Sequence, residues 1–101
     1  MSVLQDEVDA AGLSYKWTIQ SVRLPGLLTT KIIMKCCDKR LFPVVYRALV
    51  KPTSFDHIYT IEVNGVLSKS ASRYWFAVMT AVRELIKLAG FCEALAKKEC
   101  N

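Results

Sequence analysis

The chain has 101 residues, a mass of 11.4 kDa and 52% hydrophobic residues, enough for one hydrophobic core and too little for a second. Its net charge of +5 is uneven: residues 1–12 carry Asp6, Glu7 and Asp9 and no base, residues 13–52 carry eight bases against Asp38, and residues 53–101 are nearly balanced. A basic middle with a pI near 9.2 suits a polyanionic partner, and no apolar run nears the roughly 18 to 20 residues that cross a bilayer, so no membrane role and a cytoplasmic or nuclear location are expected.

Residues 3–11 suit a short helix, and residues 15–20 (Tyr-Lys-Trp-Thr-Ile-Gln) alternate like a half-exposed strand. Residues 29–37 read as a strand by propensity, but over residues 27–40 helical spacing fits better and predicts a helix entered after Pro25-Gly26. Thr30, Ile33, Met34, Cys37 and Leu41 would line one side, with Lys31, Lys35 and Lys39 opposite at i, i+4 and i+8. Residues 42–51 read as a strand with Pro43 at its start, Val44, Tyr46, Ala48 and Val50 on one face, and Arg47 and Lys51 on the other.

The strongest local signal is Asn64-Gly65 between residues 58–63 and 66–69. Both turn residues of a tight hairpin need positive φ, and Asn and Gly adopt it at least cost. Residues 70–72 offer an N-cap to an amphipathic helix with Trp75, Val78, Met79, Val82, Leu85, Ile86 and Ala89 inward, Phe76 off the stripe, and an end at Gly90. A further short helix is expected over residues 91–100.

The order helix, strand, strand, strand, helix over residues 26–89 resembles the double-stranded-RNA-binding domain family. Pro43-Val44-Val45-Tyr46-Arg47-Ala48-Leu49 looks like its opening strand, Tyr59 to Gly65 like its second strand and turn, and Ser72-Arg73 with Ala81 and Leu85 like the start of its last helix. The resemblance implies an α+β fold, an antiparallel sheet with two helices on one face. It divides the chain into an N-terminal extension (1–25), the domain (26–90) and a helical tail (91–101).

Members of that family hold A-form RNA by shape, through the first helix, the loop after the first strand and the lysines opening the last helix. The resemblance thereby nominates Lys31, Lys35, Lys39, Lys51, His57 and Arg73. The chain departs from the pattern in the loop, where Ser54 stands in place of histidine. It departs again at the last helix, where Tyr74, Trp75 and Phe76 follow Arg73 in place of lysines.

Fewer phosphate contacts imply weak RNA affinity. The expected function is therefore a non-catalytic adaptor in double-stranded-RNA processing or silencing. It would act mainly through self-association or a protein partner, with Tyr15, Trp17, Ile19, Tyr74 and Phe76 as the interface and strand addition as one mode. The alternative is direct, sequence-independent binding of double-stranded RNA through the basic first helix.

Catalysis and cofactors are not expected. The single His57 is far in sequence from Cys36, Cys37, Cys92 and Cys100, no CxxC pair occurs, no glycine-rich phosphate loop is present, and neither Ser72 nor Cys92 has an activating base in view. No small-molecule substrate is implied.

Overall fold

Residues 29–36 decide the architecture. Thr30, Ile32, Met34 and Cys36 alternate with Lys31, Ile33 and Lys35, and in an extended chain a period of two sends each set to its own face. In the computed structural model, which describes residues 3–26, 28–41 and 44–99, the segment is a strand, β2 (Thr29–Cys36). The helix expected over residues 27–40 is thereby corrected: the greasy set is 30, 32, 34 and 36 rather than 30, 33, 34 and 37. Leu27 and Pro43, placed by the sequence at element starts, and Cys100 lie outside the described residues.

β2 pairs on one side with β1 (Trp17–Leu24) and on the other with β3 (Val45–Pro52). The sheet continues through β4 (Ile58–Val63) to β5 (Val66–Ser72), antiparallel throughout, in the order β1-β2-β3-β4-β5. Helix α1 (Val3–Ala10) precedes it, packing on β1, and α2 (Tyr74–Glu99) follows, packing across β3, β4 and β5. The class is α+β, with an antiparallel sheet and both helices on one face, built on five strands rather than three. α1 and β1, within the expected extension over residues 1–25, pack as part of the same body: β1 runs in unbroken register with β2 from Trp17–Cys36 to Leu24–Thr29, and Leu4 and Val8 of α1 belong to the common core.

The core lies between that face and the helices. Ile32, Met34, Val50, Ile61, Val82 and Leu85 are fully buried, each worth about 1.5–3 kcal/mol on leaving water. Ala77, Ala81 and Ala89 are fully buried too, and their small side chains let α2 lie close to the strands. Centring the stripe on the alanines turns Trp75 outward: it is 53% exposed, a correction to its expected core position. Tyr74 takes the inward place at the helix start, its ring edge-on to Tyr59 and its hydroxyl 2.6 Å from Thr30 Oγ1.

The hairpin forms as predicted, with φ of 52° at Asn64 and 82° at Gly65. Asn64 also ties the turn to β3: its N–H donates to the Arg47 carbonyl at 2.8 Å, and its Oδ1 accepts from the Arg47 N–H at 3.2 Å. The break expected at Gly90 does not occur. α2 runs through it to Glu99, and Leu13 packs over the glycine, its Cδ2 3.9 Å from where a Cβ would stand.

The reason lies one turn further on. Glu93 is buried, and its carboxylate accepts from Ser14 N–H at 2.7 Å, Tyr15 N–H at 2.7 Å and Trp17 Nε1 at 2.8 Å. A buried carboxylate needs such donors, and here they fasten the entry to β1 onto the last third of α2. Nearer the middle of the helix, Lys69 of β5 reaches Glu84 at 2.7 Å and, by that hydrogen bond, holds its carboxyl below the usual range. Replacing Glu93 with alanine orphans the three donors and is expected to cost about 3 kcal/mol or more in urea unfolding, with Glu93→Gln losing less. A loss under about 1 kcal/mol would remove Glu93 as the anchor.

Candidate nucleic-acid interface on the open sheet face

Both helices occupy one face of the sheet, so the strand residues of opposite parity look outward with no element over them among the described residues. Across the register these are Thr18, Gln20, Val22 and Leu24 on β1, Lys31, Ile33 and Lys35 on β2, Val45, Arg47, Leu49 and Lys51 on β3, and Thr60 and Glu62 on β4.

Charge on this face is one-sided. Arg47 stands opposite Ile33, while Lys31 stands opposite Leu49 and Lys35 opposite Val45. Arg47 is therefore the diagonal neighbour of both lysines, at roughly 7–8 Å, and the lysines themselves are about 13 Å apart along β2. Lys51 belongs to the same face but is neutralised by Glu62 at 2.6 Å, and Glu62 is the sole acidic residue in any of the strands. The acids of the N-terminal segment, Asp6, Glu7 and Asp9, lie on α1, on the far side of the sheet.

Between the cations the surface is apolar. Leu24, Leu49, Lys31, Arg47, Glu62, Asn64 and Gly65 line a shallow concavity of about 570 Å³. Among the described residues no strand places an aromatic ring on this face: Tyr46 and Tyr59 point inward, Tyr46 stacked on Trp17 at 6.0 Å. The face can neutralise phosphates and cover a flat surface, but it offers no platform on which unpaired bases stack.

The residues nominated from the sequence divide into separate groups. Lys31 and Lys35 share the open face and Lys51 sits beside them in its ion pair. Lys39 is exposed in the short 3-10 turn Lys39–Leu41, beyond the strand end. His57 and Arg73 meet at the opposite end of the sheet, where the Arg73 N–H donates to the His57 carbonyl at 2.6 Å. Both are exposed and both hold positive φ, 62° and 69°, a conformation that non-glycine residues adopt at a cost.

Of the expected protein interface, Trp17 and Ile19 are core residues, 2% and 6% exposed, because β1 is the sheet's own edge strand and its odd-numbered side chains face the helices. Tyr15 is half-buried beneath the Arg40 guanidinium at 4.5 Å, and Tyr74 is half-buried as described. Only Phe76 of that set is open to solvent, joined by Trp75. The site residue missing from the sequence nomination is Arg47. The signal for it was its place on the polar parity of β3, opposite Tyr46, Ala48 and Val50.

Comparison of the chain with protein-family models, curated proteins and solved structures yields no match. None of the helices is long and apolar enough to cross a membrane, among the described residues.

Glu62→Gln removes the face's carboxylate and releases Lys51. The variant is expected to elute from a heparin column at higher salt than the parent; elution at lower salt would show that the face does not govern polyanion contact.

Proposed function

We propose that the chain is a non-catalytic binding module that takes double-stranded RNA by its phosphates on the uncovered sheet face. The observation that carries this is the triangle of Lys31, Lys35 and Arg47 on the sheet face opposite the two helices, which no element covers among the described residues. Three cations without an ion pair or a neighbouring ring on this face, among the described residues, match a polyanion of regular shape better than a single strand, whose affinity comes largely from base stacking.

The resemblance to double-stranded-RNA-binding domains, carried by the hairpin residues Tyr59 to Gly65 and the Ser72-Arg73 entry to α2, favours RNA as the duplex, and of the family's RNA-contacting regions it keeps Arg73 at the start of the last helix. It supports nothing at residues 27–40, where the family's first RNA-contacting helix is replaced by β2. Of the three lysines expected on that helix, Lys31 and Lys35 would act from β2 with Arg47 beside them, and Lys39, beyond the strand end, takes no part. The contribution of His57 and Arg73, at one end of the sheet, is secondary. Because so few cations are engaged, the affinity expected is that of non-specific binding, with a Kd of about 10⁻⁴–10⁻⁶ M at physiological salt.

A salt titration of fluorescent duplex RNA, duplex DNA and single-stranded RNA tests this. The parent chain is expected to favour duplex RNA with affinity falling steeply as salt rises. The triple substitution Lys31→Glu, Lys35→Glu, Arg47→Glu is expected to lower it by more than about tenfold and to flatten the salt slope by about 3. Unchanged binding by the triple variant, or preference for the single strand, would overturn the proposal.

A further inference from the structure

The two edges of the sheet are built differently. β5 carries a register irregularity between Ile61 and Glu62 of its partner strand and turns Lys69 toward the helix side to meet Glu84, two devices that blunt an edge against further pairing. β1 has neither. It is regular over its whole length, holds no proline or inward charge before Arg23, and exposes Val22 at 47%.

Half of the β1 edge is nevertheless closed. Lys16 C=O accepts from the Cys37 N–H, so residues 16, 18, 20, 22 and 24 direct their backbone groups to β2, and residues 17, 19, 21 and 23 direct theirs outward. On that outer side Gln5 of α1 acts as a one-residue strand: its Oε1 accepts from the Ile19 N–H at 3.1 Å and its Nε2 donates to the Trp17 carbonyl at 3.0 Å. The outward groups of Ser21 and Arg23 lie beyond its reach, and Pro25 ends the strand.

We propose that this half-edge joins a second copy of the chain, antiparallel and two-fold symmetric about Val22, extending the sheet across both protomers. In that register Ser21 of each copy exchanges both backbone bonds with Arg23 of the other, and the two Val22 side chains meet in the close, non-hydrogen-bonded position on the open face. The register that Gln5 leaves available is the one that places no like charges opposite each other.

The open segment is too short to hold a long foreign strand, whereas two-fold symmetry uses it twice. The blunted β5 edge then closes the assembly at two copies instead of a growing ribbon. The flanking lysines do not prevent it: Lys31 of each copy would be separated by the two β1 strands, about 14 Å, more than a Debye length at physiological salt.

The contact is small, so the dimer should be weak and should survive high salt. Sedimentation velocity of the chain free of nucleic acid, over a series from low micromolar to the solubility limit, is expected to show concentration-dependent doubling of mass in both low and high salt. Ser21→Pro deletes an outward N–H without touching the β2 ladder, and Val22→Lys sets two ammonium groups at the symmetry axis; each is expected to hold the chain as a monomer with unchanged circular dichroism. If Ser21→Pro unfolds, Val22→Lys decides alone. A monomeric parent throughout, or a dimer that a folded Val22→Lys variant leaves intact, would overturn the inference. Neither result depends on RNA, so the fate of the open-face proposal is read separately.

Discussion

The structure depends on the alternation of β2. Its even-numbered side chains, Thr30, Ile32, Met34 and Cys36, are buried beneath the helices, and this leaves Lys31 and Lys35 no place but the opposite face. A shift of one residue would bury two ammonium groups and expose Ile32 and Met34, so the register is fixed by a penalty that no surface interaction offsets. Because β2 bonds to both β1 and β3, that choice sets the facing of the whole first half of the sheet and brings Arg47 between the lysines.

The helix side is closed by a few polar contacts placed where apolar packing runs out. Glu93 receives the entry to β1, Gln5 caps the first part of its edge, and Glu84 accepts Lys69 from the far edge. The Glu93 contacts join the first strand's entry to the last helix across 76 to 79 residues, while those of Gln5 and Glu84 fasten each helix to a strand close to it in sequence. The same arrangement separates charge: acids on α1 behind the sheet, unpaired bases in front of it.

Much of this was legible in the sequence. The Asn64-Gly65 hairpin, the facing of β3 and the Val78, Val82, Leu85, Ala89 stripe all follow from local rules, because turn chemistry and a long run of periodic residues leave little choice. Residues 27–40 misled for a specific reason. Lysines at i and i+4 share a side in a helix, where four residues make just over a turn, and also in a strand, where four is twice the period. The residue that tells the two apart is Ile32, which a strand buries and a helix with that lysine stripe would not.

The other differences have tertiary causes. Gly90 ends a helix when nothing holds the next turn, but Glu93 holds it from a distance of 76 to 79 residues along the chain. Trp75 fits the apolar stripe by hydrophobicity, yet the alanines decide which side of α2 can approach the strands. Trp17 and Ile19 alternate as an exposed interface strand would, and became core because α1 covers their face. Arg47 gained significance only when β2 became its neighbour.

The sheet and its cationic face both require residues 29–36 to be extended between two strands, and nuclear magnetic resonance reads this directly. Close Hα–Hα contacts are predicted between Ser21 and Ile32 and between Ile33 and Arg47, pairs that face each other without hydrogen bonds in the two ladders. Sequential amide–amide contacts through Thr29–Cys36, with neither cross-strand pair, would contradict it and return the lysines to a helix.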